Sequence, residues 1–166
     1  NPQYRLRLMV AHLKSKVFHS FGQAEMRRNE ARLLNNHVRD ALEADPAVNL
    51  LVVGDFNDDP SSAALRDIAT YKRQRILHDL RPADMVGDAW THRENNDVYH
   101  RIDYMLASAG LLPEVVPDKT FAVRSPLLMR ASDHRPLVAT FVAAERGTDA
   151  APDLSKRLPP EIPQND

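Results

Sequence analysis

Leu50-Leu51-Val52-Val53-Gly54-Asp55-Phe56-Asn57-Asp58-Asp59-Pro60 is the stretch that decides the fold of this chain. Four apolar residues in a row fit a strand covered on both faces. Gly54 then allows close backbone approach where the strand leaves its sheet. Asp55 and Asn57 stand two residues apart and point to the same side of extended chain, so a carboxylate and an amide face one small polar site at the strand's carboxyl end. Asp59 as an N-cap and Pro60 in the first turn predict a helix through Ser61-Ser62-Ala63-Ala64-Leu65. Turn chemistry alone also accounts for an Asp and an Asn at such a place, since both satisfy backbone donors. The flanking sequence has to decide between the two.

Upstream, residues 4–16 read as a covered strand, with Leu6, Leu8 and Val10 on one parity and Met9, Ala11 and Leu13 on the other. His12 interrupts its end, and Lys14 and Lys16 share the parity of His12. Those three side chains make either a phosphate rim or a solvated edge. After a loop over 17–22, residues 23–44 carry helical spacing, with Ala31, Leu34, Val38, Ala41 and Leu42 on one face and Asp45-Pro46 as the stop. Arg27, Arg28, Glu30, Arg32, Arg39, Asp40 and Glu43 are expected on the wet face, and no chemistry is assigned to this helix. Strand, helix and the strand at Leu50 form a β-α-β unit.

Downstream, Leu65 and Ile68 point inward from the helix after Pro60. Tyr71-Lys72-Arg73-Gln74-Arg75 is a basic, solvated run, and Trp90 to Arg101 a hairpin around the polar cluster 93–97. His100 to Ser108 is a strand in which Ile102, Tyr104 and Leu106 alternate with Arg101, Asp103 and Met105. An acid in mid-strand is costly to bury without a partner, and a histidine or a metal is the natural one. An edge strand is expected at 120–123. Ser132-Asp133-His134 then precedes Pro136 and a last strand over 137–142; both side chains reach one site only if the turn before Pro136 is irregular.

The chain of 166 residues has a formal net charge of −1 and no cysteine. Its length fits one domain with a sizeable core. Near-neutrality excludes a global basic field for nucleic acid and leaves only local patches. Disulfides, thiolate zinc sites and a cysteine nucleophile are excluded. No apolar run approaches a membrane span, and Asn1-Pro2-Gln3-Tyr4 reads neither as a signal peptide nor as an initiator start, so the start looks cut. The domain is expected over 1–144, followed by a disordered, proline-rich tail over 145–166.

His12, Gly54-Asp55-Phe56-Asn57, Arg101-Ile102-Asp103-Tyr104 and Ser132-Asp133-His134 occur in this order, each in or at the end of a strand. Together they resemble the endonuclease/exonuclease/phosphatase superfamily of deoxyribonuclease I-like proteins, over about 6–141. The resemblance implies an α/β fold, a β-sandwich flanked by helices, and a divalent-metal-dependent phosphoester hydrolase, foremost a phosphodiesterase or nuclease acting on DNA or RNA. It implies His134 as base or stabiliser on the attacking side, oriented by Asp103; Asp133 and Asp55 at a magnesium or manganese ion; Asp55 positioning or deprotonating water; Asn57 at a phosphate oxygen, where the rim of Lys14 and Lys16 read from strand parity would join it; and His12 supporting phosphate or leaving group. These roles suit the chemistry, which needs charge taken up on phosphate oxygens, an aligned water and a positioned base. His12-Leu13-Lys14-Ser15-Lys16 is most similar to secreted members, which favours a secreted or periplasmic location over a cytoplasmic one.

The resemblance covers only the second half of the family domain. The first half, with an Asn and a metal-binding Glu, has no counterpart here, so an apolar sheet face is expected to lie bare and to be covered by the missing half or by a second copy of the chain. Two alternative functions stand beside the leading one: a phospholipid or inositol phosphate phosphatase, and a non-catalytic or incomplete fragment acting as a binding module.

Overall fold

The computed structural model describes residues 3–147 and 150–154. In chain order its elements are β1 (Arg7–Val10), α1 (Gln23–Ala44), β2 (Leu50–Asp55), α2 (Ala63–Ala69), β3 (Thr70–Tyr71), β4 (Gln74–Arg75), β5 (His78–Asp79), β6 (His92–Arg93), β7 (Tyr99–His100), β8 (Asp103–Ala107), β9 (Phe121–Ala122) and β10 (Leu137–Val138). Four strands form the main sheet in the order β1-β2-β8-β5; β1 runs parallel to β2, and β8 antiparallel to both β2 and β5. β3–β4, β6–β7 and β9–β10 are short antiparallel ladders. This is the mixed α/β architecture expected from the sequence.

Alternation along β2 and β8 builds two cores on opposite faces of one sheet. Leu50, Val52, Tyr104 and Leu106 pack with Ala31, Val38 and Ala41 of α1 and Leu65 and Ile68 of α2. Leu51 and Ala107 face the other way, with Leu80, Leu111, Leu112 and Val115, backed by Val53, Met105, Ala139 and Phe141. Each fully buried aliphatic side chain contributes about 1.5–3 kcal/mol, so the β2–β8 pair is the rigid centre of the fold. Gly54 is required by contact: its φ is +146°, and a Cβ there would stand 1.8 Å from the carbonyl oxygen of Ala11.

Several expectations need correction. β1 is covered on one face only. Met9 and Ala11 pack into the helix-side core, whereas Leu6, Leu8 and Val10 are 41, 55 and 71% exposed. The register Leu8↔Leu51 and Val10↔Val53 puts them on the second face, whose core reaches β2 and β8 but contains no β1 residue. The helix after Pro60 begins at Ala63, with Ser62 as its cap through an Oγ that accepts from Leu65 N at 3.2 Å. Asp59 does not cap it; its carboxylate takes Lys16 Nζ at 2.9 Å instead. Arg27 is buried rather than wet, because its guanidinium bonds Asp58 Oδ2 at 3.2 Å and the carbonyls of Lys14 and Ser15 at 3.3 Å each. The last strand stops at Val138. Of the expected tail, Glu145 accepts from Asn49 Nδ2 at 3.0 Å and Leu154 packs against the second core, while 148–149 and 155–166 lie outside the described residues.

Candidate active site

The antiparallel register of β2 and β8 makes Asp55 and Asp103 direct cross-strand neighbours at the end of the ladder. Two like charges so placed are destabilising unless something lies between or around them. His134 supplies the first relief: its Nδ1–H donates to Asp103 Oδ2 at 2.9 Å. The loop after β2 supplies the second, since Asn57 donates its backbone N–H to Asp55 Oδ1 at 2.8 Å and its Nδ2–H to Asp55 Oδ2 at 3.2 Å. His12 Nε2 stands 3.5 Å from the same Oδ2. Asp55, Asp103 and His134 each present a ligand atom within 4.8 Å of the other two. Burial holds the Asp55 carboxyl above the usual carboxylate range; the Asn57 hydrogen bond opposes this and the Asp103 charge adds to it.

The frame around these groups is rigid. Asn57 sits at φ 51°, in the left-handed region that Asn tolerates, and its Nδ2 also donates to Leu13 O at 3.0 Å, tying the loop to the end of the first strand. Phe56 stacks on Tyr104 with centroids 5.5 Å apart. Thr91, wholly buried, accepts the backbone N–H groups of Ile102 and Asp103 on its Oγ1 at 3.0 Å each. His134 is held from both sides in sequence: Arg93 N–H donates to Asp133 O at 2.9 Å and Arg135 N–H to Thr91 O at 2.7 Å. The Arg135 guanidinium, nearly inaccessible, pairs with Asp84 at 2.9 Å and lies 4.2 Å over the Trp90 ring. These bonds make the irregular turn that lets both Asp133 and His134 reach the same region.

Of the residues singled out from sequence, the structure brings His12, Asp55, Asn57, Asp103 and His134 together. Asp133 is 68% exposed and lies toward His92 and His134, outside the Asp55–Asp103–His134 group. Both hydrogens of the Asn57 amide are directed at Leu13 and Asp55, so Asn57 locks the carboxylate, and its remaining amide oxygen suits a cation better than a phosphate oxygen. Lys16 pairs with Asp59, and Lys14 Nζ bonds Ser15 Oγ at 3.0 Å. Thr91, His92, Arg27 and the Arg135–Asp84 pair were not anticipated. A threonine and an arginine beside chemical residues in short strands were the available signals, but their partners lie far off in the chain.

The donor set fits a hard divalent ion. The carboxylates of Asp55 and Asp103 are oxygen ligands, which magnesium and manganese take in preference to sulfur or nitrogen. A carboxylate whose charged form is disfavoured by burial gains most from a cation beside it.

The sequence matches the model described as the Endonuclease/Exonuclease/phosphatase family over residues 6–134. No curated protein matches it. Among solved structures it is similar to the 3' phosphatase NExo from Neisseria bound to a product DNA hairpin, at 18% identity and TM-score 0.63, covering 82% of this chain and 61% of that one. It is similar to truncated Caenorhabditis elegans TDP2 at 20% identity and TM-score 0.55, covering 82% of this chain and 54% of that one. For the human Nocturnin catalytic domain with bound sulfate the values are 22% and 0.55, with 81% of this chain and 46% of that one. The chain thus spans roughly half to three fifths of the length of these proteins, and at such identities the likeness is one of fold. With the family model spanning most of the residues and the fold shared, the chain belongs to the endonuclease/exonuclease/phosphatase family.

Proposed function

We propose that the chain is a divalent-metal-dependent phosphodiesterase acting on nucleic acid. The observation that carries this reading is the meeting of Asp55, Asp103 and His134 at one strand end, with Asp103 fixing the ring of His134. A magnesium or manganese ion, held by Asp55 and Asp103, would take up charge on the phosphate oxygens. The Nδ1–H bond to Asp103 leaves the lone pair of His134 on Nε2, which accepts a proton from the attacking water. Water oxygen bonds to phosphorus as that proton leaves, the ester P–O bond breaks, and the departing alkoxide oxygen takes up a proton from solvent. Asp55 orients the water, and His12, 74% exposed beside it, hydrogen-bonds the phosphate or the leaving oxygen.

Hydrolysis of plasmid DNA, a chromogenic diester and monoester, and a phospholipid, with magnesium and with chelator, tests the reading. Asp55→Ala and His134→Ala should each lower the rate at least about a hundredfold, since each removes a group acting at the reacting centre; variants within a few-fold of the parent would place the chemistry elsewhere. A lipid phosphoester is kept as a second reading by the loop after the first strand, where Val17, Phe18 and Phe21 are all more than 70% exposed. The bare Leu6, Leu8 and Val10 face is read as the seat of a further β-rich layer, from another polypeptide segment or a second copy. A clean monomer mass with no binding of an apolar dye would refute that part.

A further inference from the structure

The hairpin β6–β7 carries a second group of donors beside the first. The single backbone bridge His92↔His134 makes these two histidines cross-strand neighbours, with ring centroids 4.7 Å apart. Asp133 Oδ2 lies 3.6 Å from His92 Nε2, and His92, Asp133 and His134 each offer a ligand atom within 4.8 Å of the other two. Two imidazoles and one carboxylate, with a coordination position left for water, are the ligand set of an open tetrahedral site, and nitrogen donors select zinc-class ions over magnesium. Ligands on such an ion stand about 2.0–2.2 Å from it, hence roughly 3.3–3.6 Å apart. The His92–Asp133 pair is already at that spacing, and the exposed Asp133 side chain is able to follow the rings. The Asp103 carboxylate behind His134 Nδ1 is the kind of outer partner that orients a metal-binding histidine. His100, 6.3 Å from His92 between ring centroids, is engaged with Glu94 at 3.1 Å and is left out of the set.

We propose that His92, Asp133 and His134 bind a zinc-class divalent ion, and that an ion held there occupies His134 and so inhibits the hydrolysis that magnesium supports. The inhibitory half rests on the reading of His134 as the base; the binding half does not. Magnesium and zinc would then act oppositely on one site, the hard ion through Asp55 and Asp103 and the borderline ion through the imidazoles.

The test has two arms on the full chain. In the first, without magnesium, Zn2+ binding is measured by calorimetry, and Co2+ serves as a probe whose visible absorption reports tetrahedral nitrogen ligation. His92→Ala, and His92→Gln as the variant that keeps side-chain bulk, should weaken binding by at least the roughly 10–100-fold that loss of even an outer-shell partner costs. Equal Zn2+ affinity in parent and both variants, or Co2+ spectra of octahedral oxygen ligation, would overturn the site. In the second arm, hydrolysis with millimolar Mg2+ is followed against added Zn2+, as the ratio of inhibited to uninhibited rate within each protein. The expected result is inhibition in the parent, reversed by chelator and shifted at least tenfold in Zn2+ concentration by His92→Gln. Zn2+ bound through His92 without inhibition would overturn the regulatory half while leaving the site. Loss of magnesium-dependent turnover in every form, with Zn2+ binding intact, would instead defeat the catalytic reading and with it the inhibition.

Discussion

Replacing Thr91 by valine removes one oxygen from the centre of the molecule and little else. That oxygen accepts two backbone N–H groups, of Ile102 and Asp103, at 3.0 Å each. Valine fills the same space but leaves both donors unpaired, that of Ile102 buried and that of Asp103 partly so. Each orphaned donor costs about 1–3 kcal/mol, so Thr91→Val should destabilise the chain by roughly 2–6 kcal/mol. With a urea m-value of about 1–3 kcal/mol/M, the unfolding midpoint should fall by on the order of 1–3 M. Thr91→Ser keeps the oxygen and loses only a methyl, worth about 0.8 kcal/mol. Serine should therefore be the milder change, although valine is the closer match in volume. The same bonds fix the backbone beneath Asp103, so Thr91→Val should also lower kcat more than it changes KM, as the carboxylate loses its aim at His134. A valine variant as stable as the serine one would refute the assignment of Thr91 as the anchor of this strand end.

Gly54→Ala should cost about 2–6 kcal/mol, since a Cβ 1.8 Å from Ala11 O pushes the first strand away, breaks the bonds Ala11 N–H to Val53 O and Leu13 N–H to Asp55 O, and occupies a φ that alanine disfavours. Thermal unfolding checks this, and a Tm within about 2 °C of the parent would contradict it. Asp84 is held below the usual carboxylate range: burial alone would raise it, but hydrogen bonds from Arg124, from the backbone of Asp88 and Val86, and from Arg135 outweigh that. Its stabilisation is therefore fully present above the ordinary carboxylate pKa of about 3.9 and is lost as pH falls through the depressed value. Asp84→Asn should be less stable at neutral pH, by about 3–5 kcal/mol where Arg135 is left as an unpaired buried cation, and should show a flatter acid limb below about pH 4. Parallel acid limbs in urea unfolding would remove Asp84 from the account.

What could be read from the sequence follows from range along the chain. Residues 23–44 and the strand at Leu50–Asp55 were legible because periodicity is local and their apolar faces are continuous. Asp55 and Asp103 were legible as chemistry because each interrupts an apolar strand that would exclude it without a partner, and His134 because it stands beside Asp133 at a strand entry. What failed was pairing between distant residues. Arg27 reads as wet by helical spacing, and only Asp58, brought over by the loop after β2, makes its burial tolerable. Asp59-Pro60 reads as a helix start, and Lys16, far upstream, takes the carboxylate that would have capped it. The bare face of β1 was expected from the family resemblance, because the alternating residues 6–10 by themselves read as covered on both sides.

The placement of Asp55 opposite Asp103 is a stability defect that a sheet built for folding alone would avoid. β2 and β8 are apolar along the rest of their ladder, and a valine or threonine at either position would pack and pair without cost. The chain instead surrounds the two acids with groups that relieve them only partly: one imidazole for Asp103, the backbone and side-chain N–H groups of Asn57 with His12 at 3.5 Å for Asp55, and an Asp55 carboxyl still displaced upward. A carboxylate kept in that condition gains more from an arriving cation than one already satisfied by an arginine, as Asp84 is. Asp84 and Asp55 thus mark the two uses of a buried acid in this protein. The first is neutralised within the fold and holds the turn that presents His134; the second is left short of charge compensation, which on the proposed function is where a divalent ion would bind.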